Sequence, residues 1–213
     1  MYPIFPLNSV VFPKQSLKLT IFESRYLEML DYCNQNENKF VTALIKTGHE
    51  VGDYAVPCSI GTLVSIKNIG NRTKLGIPIS IVGLHRVEIL STNRKYKYLT
   101  GETRKYANDE AINYEEYHLK IIRSNVTDVL SQMATISITY EKQITIPKYG
   151  DELFLFTIGL ISNILGENLQ EILREKKPDV QCVLLLKKIE RIKSSLTTKL
   201  NDRLSGDNLS NYN

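Results

Sequence analysis

A chain of 213 residues can fill one large domain or two small ones, and it can bury on the order of 70% of its unfolded surface. Its 42% apolar and 23% charged residues are ordinary for a globular protein, and a net charge of +4 is too small to imply a polyanion partner by itself. Three widely spaced cysteines, with no C-x-x-C pair, argue against a disulfide framework and a zinc site and suit a reducing compartment.

The chain opens on Ile4, Phe5, Leu7, Val10, Val11 and Phe12, an apolar run in which Pro6 limits backbone pairing. Pro13-Lys14-Gln15-Ser16 supplies a turn. Leu17, Leu19 and Ile21 then alternate with Lys18 and Thr20, as in a strand with one buried face. After Glu23 the period becomes helical, with Tyr26, Leu27, Leu30 and Cys33 on one side and the Ser24 hydroxyl placed to cap the helix. Further strands are predicted over 39–46, 60–66, 75–90 and 96–106, with a turn-rich stretch at 68–72. Gly83, inside the third of these, predicts the bulge or bend that a small closed barrel needs at its corners.

From about residue 112 the pattern is helical. Leu119, Ile122, Val126, Val129, Leu130, Met133 and Ile136 form one stripe. Asp151 is placed to cap an apolar helix running to about Leu165, which Gly166 would end. Asn168 opens a short helix that cannot include Pro178. Asp179 then caps a last helix with Cys182, Leu185, Leu186, Ile189, Ile192 and Leu196 on its core side. Strands first and helices afterwards make an α+β arrangement.

Two of these segments carry a specific signature. Phe5-Pro6-Leu7-Asn8-Ser9-Val10-Val11-Phe12-Pro13 and Leu17-Lys18-Leu19-Thr20-Ile21-Phe22-Glu23-Ser24-Arg25-Tyr26 resemble the opening of the Lon N-terminal domain family. That family begins F-P-L-x-x-V-x-x-P and continues L-P-L-x-I-F-E-P-R-Y, so Lys18 and Ser24 stand where it carries prolines. Its later G-T-x-x-x-I and G-x-x-R-[FV]-x-[IV] segments are matched by Gly61-Thr62-Leu63-Val64-Ser65-Ile66 and Gly83-Leu84-His85-Arg86-Val87-Glu88-Ile89. The resemblance covers nearly the whole chain. It implies a PUA-like β pseudobarrel followed by a C-terminal α-helical bundle, with a β subdomain expected over 1–110 and a helical subdomain over 111–204; the polar tail over 205–213, short of apolar residues, is expected to fray.

Full Lon proteases add an ATPase and a serine–lysine peptidase. No G-x-x-x-x-G-K-[ST] cradle and no G-x-S-x-G elbow occurs, and no segment resembles the peptidase motif. The chain thus reads as a free-standing, non-catalytic member of the family, with no catalytic residue, cofactor or metal. His49, His85 and His118 lack metal-binding spacing and read as surface or packing residues. Cys33 and Cys182 read as buried hydrophobes, and Cys58 as the thiol near the surface. There is no basic n-region before the first apolar run, and no apolar stretch reaches the ~20 residues of a spanning helix, so a cytoplasmic protein without membrane contact is expected.

The resemblance implies recognition of unfolded or extended polypeptide, in the manner of the Lon substrate-binding domain. The start of the first helix is implicated in substrate contact in that family. Carried over, it points to Glu23, Ser24 and Arg25, with Phe22 and Tyr26 as adjacent apolar surface. The structural alternative is that Glu23 and Arg25 pair or orient a loop, while Phe22 and Tyr26 close the core. A second reading is RNA binding through the barrel, because Arg94, Lys95, Lys97, Arg104 and Lys105 interleave with Tyr96, Tyr98 and Tyr106. Against it, tyrosines facing the barrel and lysines guarding an edge strand give the same pattern, so nucleic acid is the disfavoured partner. A third reading is an adaptor that hands substrates to a separate protease or chaperone, or that assembles with partners through a basic last helix bearing Lys187, Lys188, Arg191 and Lys193, although such a charged face is usually just solvated.

Overall fold

The computed structural model describes all residues except 53–54, 110–113, 137–143, 149, 166–167 and 211–213, and no side chains over 163–165 or 203–210. The chain divides into two compact units, Met1–Ala107 with Asn168–Arg174, and Asn108–Glu167 with Glu175–Asn213.

The first unit is built on β1 (Tyr2–Leu7), β2 (Ser16–Ile21), β3 (Lys39–Thr47), β4 (Val56–Pro57), β5 (Ile60–Ile69), β6 (Ile77–Asn93) and β7 (Leu99–Lys105). β1 pairs antiparallel with β7 and parallel with β3, so β1, β7, β6, β5 and β3 close into a ring. β2 joins β6, and the short β4 joins β3, beside that ring. This is the pseudobarrel that the resemblance implies, and closure removes free edges from the five ring strands. β7 begins at Leu99 rather than Tyr96 and pairs with both β1 and β6, so it is not the edge strand that the lysine pattern suggested.

Gly83 shows why the β1–β2 loop lies where it does. A Cβ at this position would sit 2.1 Å from the Phe12 carbonyl oxygen. With only hydrogen there, Lys14 N donates to Gly83 O at 2.8 Å and Gly83 N to Gln15 O at 2.9 Å. Beside it the β5–β6 register shifts, with Leu63 opposite His85 but Val64 opposite Gly83, which is the predicted bulge.

Helix α1 (Ser24–Gln35) buries Tyr26, Met29, Leu30 and Cys33 in a core that includes Phe5, Phe40, Ile79 and Ile81. Its cap is Glu23, with no side-chain capping bond, so the Ser24 hydroxyl does not cap the helix as expected. Ser24 occupies the first helical position, where proline is also well tolerated because its missing N–H would have no partner in the helix. A smaller cluster takes one residue from each ring strand: Ile4, Val41, Leu63, Val87 and Leu99.

Helix α4 (Gln170–Arg174) completes this unit, and Asn168 Oδ1 opens it by accepting from Gln170 N at 2.7 Å. Gln170 Nε2 donates to Ile60 O at 2.8 Å. Buried Arg86 donates through Nη1 to Leu173 O at 2.7 Å, and Tyr106 OH donates to Arg174 O at 2.9 Å. These two bonds satisfy carbonyls that the end of a short helix leaves open.

The second unit contains α2 (Glu116–Ile136), α3 (Gly150–Leu165) and α5 (Pro178–Ser210). Leu119, Ile122, Val126 and Val129 of α2 and Cys182, Leu185, Ile189, Ile192 and Leu196 of α5 are buried, as the stripes predicted. Asp151 and Asp179 lie inside the first turns instead of at the caps, where a carboxylate still suits the helix dipole. Gly166, the expected end of α3, lies outside the described residues. The backbone of α5 is helical through Ser210. Lys188 is buried at 6% exposure, not on the outer face of α5, and Lys193 Nζ bonds Asn125 Oδ1 at 2.9 Å and Asp128 Oδ2 at 2.7 Å. No helix among the described residues is long and apolar enough to cross a membrane.

Candidate functional site

A cleft of about 230 Å³ opens beside β2, lined by every residue from Lys18 to Glu23. A strand face contributes every second residue, so an unbroken run of strand residues means that the cleft follows the strand's edge. β2 uses its other edge to pair with β6, and among the described residues no second strand pairs with it. Buried Phe5, Leu7 and Tyr26 also line the cleft, with Glu50 and Val51 of the β3–β4 loop.

The start of α1 holds that loop in place. Arg25 Nη2 lies 3.1 Å from Glu23 Oε2 and donates to Glu50 O at 3.2 Å. Glu23 Oε2 also accepts from Gly52 N at 3.2 Å, and Glu50 Oε2 accepts from Asn8 Nδ2 at 2.6 Å. The Arg25 guanidinium stands 4.5 Å from the centre of the Tyr26 ring. With side chains only 12% and 17% exposed, Arg25 and Glu23 form a partly buried ion pair that orients a loop. Of the proposed contact residues, Phe22 and Ser24 are open to solvent. Tyr26 is 5% exposed and packs edge-on to Phe5 at 4.3 Å, so it is core and cleft wall in one.

Phe22 is 56% exposed and also lines a second hollow, of about 100 Å³, formed with Leu27 and the β5–β6 hairpin tip from Arg72 to Gly76. Gly76 has φ 127°, and a Cβ there would lie 2.4 Å from Ile21 O, so only glycine lets the tip approach β2 this closely. Thr73 stabilises the tip, its N and Oγ1 both donating to Gly76 O at 2.8 and 2.9 Å. Leu75, 79% exposed, and Val51, 56% exposed, give the region two more uncovered apolar side chains. The sequence reading did not single out Arg72, Lys74, Leu75 or Val51. A large apolar residue alone in a polar turn was the available signal for Leu75.

The cation–tyrosine stretch is arranged differently. Tyr96 stacks on Tyr98 at 5.3 Å and 8°, Tyr32 lies 6.3 Å from each, and Tyr98 is buried. Lys97 is paired with Glu28, and Arg104 Nη2 meets Glu88 Oε2 at 2.6 Å. Lys95 and Lys105 are exposed.

Among the described residues, one trio could approach a metal ion: Glu115, His118 and Asp179, in the second unit. His118 Nδ1 lies 3.8 Å from Glu115 Oε2 and 3.7 Å from Asp179 Oδ1. Burial, with Lys105 and Lys39 nearby, lowers the His85 pKa and keeps that ring neutral. Burial pushes the Cys33 and Cys182 thiols up to about 12, which makes them inert, and raises Cys58 as well.

Residues 1–191 match the family model described as the ATP-dependent protease La (LON) substrate-binding domain. A crystal structure of a Lon N-terminal domain protein from Xanthomonas campestris is similar at 21% identity and a TM-score of 0.61, over 87% of this chain and 96% of that one. The N-terminal domain of Mycobacterium avium complex Lon protease is similar at 15% identity and a TM-score of 0.58, over 89% of this chain and 97% of that one. No curated protein matches this chain in sequence.

Proposed function

The chain belongs to the family of the Lon substrate-binding domain, and from that premise we propose that it is a non-catalytic module capturing unfolded or extended polypeptide along the edge of β2. The observation that carries this reading is the open edge itself, bordered by a cleft and by exposed Phe22. Such an edge offers backbone hydrogen bonds to any extended segment whatever its sequence, and the hollows beside it admit apolar side chains. In this reading Phe22 and Ser24 touch the bound segment, Tyr26 forms the apolar wall, and Glu23 and Arg25 hold the 50–52 loop at the rim. The captured segment would then pass to a separate protease or chaperone. The three free thiols suit a cytoplasmic setting.

RNA binding has less support, since Lys97 and Arg104 already have carboxylate partners. The basic face suggested for an adaptor role is also reduced, because Lys188 is buried and Lys193 is tied to α2.

The test is fluorescence anisotropy of a labelled, permanently unfolded protein titrated with this one at low and physiological salt. Saturable binding that survives salt and weakens at least tenfold in Phe22→Ser is the expected result. Absence of binding would remove the function, and full affinity in Phe22→Ser would remove the site.

A further inference from the structure

We propose that the β2 edge selects extended segments in which a large apolar residue is flanked by carboxylates. The proposal rests on the polypeptide reading and adds the class of sequence preferred.

Three cations border the two hollows. Lys18 lies on the β2 side of the larger one, and Arg72 and Lys74 lie in the hairpin tip beside the smaller one. All three are exposed, and among the described residues none has an acidic partner. Of the two carboxylates that line the cleft, Glu23 is matched by Arg25, whereas Glu50 accepts from the neutral Asn8 amide and keeps its charge. Three exposed cations against the one uncompensated carboxylate leave the two hollows together with a surplus of positive charge beside apolar surface, and an acidic partner complements it.

Geometry decides where those charges would act. Lys18 precedes Phe22 by four positions, about 13 Å along an extended chain. The hairpin tip is at the opposite end of β2, on the side where β6 pairs with it, and the close approach of Gly76 fixes it against Ile21 and Phe22, which lines both hollows. A segment paired along β2 would set an apolar side chain against Phe22 and Leu75. Residues toward one end would then meet Lys18, and those toward the other would meet Arg72 and Lys74. Lysine or arginine at either flank would face like charge.

The experiment uses three labelled peptides of equal length with one shared apolar centre and flanks of Glu, Ser or Lys. Each is titrated by anisotropy at low and physiological salt. The expected order is Glu over Ser over Lys, with at least a tenfold gap between the extremes at low salt and a smaller gap at high salt. The variant Lys18→Glu/Arg72→Glu/Lys74→Glu, which changes only exposed side chains, is expected to reverse the order while keeping the wild-type melting temperature. Equal affinities for all three peptides, with binding still lost in Phe22→Ser, would overturn the charge selection and leave polypeptide capture standing. A preference that the triple variant fails to reverse would also overturn it. If no peptide binds at either salt, both readings fall.

Discussion

The cleft beside β2 and the tyrosine-rich bend before β7 carry similar residue types in the same unit, and they use them in opposite ways. In the bend, Lys97 is neutralised by Glu28 and Tyr96 spends one face on Tyr98, and in β7 itself Arg104 is neutralised by Glu88. Around the cleft and the hollow beside it, Glu23 is matched by Arg25, and among the described residues Lys18, Arg72 and Lys74 have no acidic partner. The aromatic residue there, Phe22, has little to cover it. Cations next to aromatics do not mark a binding surface by themselves. What marks one is whether those groups are already satisfied within the fold.

The sharpest way to break this contrast lies within α1's own approach, between Tyr26 and Phe22. Tyr26→Ala removes a buried ring from the core and is expected to cost about 3–5 kcal/mol in urea unfolding. Phe22→Ala, at an exposed position, is expected to stay within about 0.5 kcal/mol of wild type. If the two variants lose similar stability, Phe22 belongs to the core and the cleft is not an open surface.

Next in size is Gly76→Ala. The added methyl meets the Ile21 carbonyl at 2.4 Å in a backbone conformation of φ 127° that alanine rarely adopts. A cost of about 1–3 kcal/mol is expected, together with weaker binding, because the hairpin tip must move away from Phe22. Unchanged stability and unchanged peptide affinity would show that the tip has no part in the site.

How much of this was legible in the sequence depended on whether the determinant was local. The strand alternation at Leu17, Leu19 and Ile21, the helical stripes and the break at Gly83 are local, and each is found where it was predicted. The caps assigned to Ser24, Asp151 and Asp179 were each placed a residue or more from the true start, because the first turn and the cap favour the same residue types. The free edge of β2 was not legible at all. It follows from β6 pairing on one side and, among the described residues, no strand pairing on the other, a property of topology. The same holds for Leu75 and Lys74, which reach Phe22 only because Gly76 lets the tip approach Ile21. Lys188 looked like part of a solvated basic face, and its burial depends on packing that no local pattern reports.

An effect of similar size is expected at the ion pair that positions the rim. Arg25→Gln removes the charge facing Glu23 and the donor to Glu50 O. About 1–3 kcal/mol of stability should be lost. The more telling readout is hydrogen exchange at the Gly52 amide, which donates to Glu23. Faster exchange there, with amides of the ring strands unchanged, would identify Arg25 as a residue that positions the rim. If exchange is unchanged but peptide affinity drops, Arg25 contacts the bound segment directly, and the division of labour between Arg25 and Phe22 has to be redrawn.

The smallest effect belongs to the bend and the strand it leads into. Lys97→Glu combined with Arg104→Glu reverses two cations whose side chains are 69% and 68% exposed. Exposed pairs contribute little to stability, because solvent screens them and ordering both side chains costs entropy. The double variant should therefore melt at nearly the wild-type temperature and bind unfolded polypeptide within twofold of wild type. The same variant bears on the nucleic-acid reading, since phosphate contacts would make affinity fall steeply with salt. If single-stranded RNA binds the wild type with such a salt slope and the slope drops in the double variant, the paired cations are available after all. The contrast between the two surfaces would then fail at its weaker side.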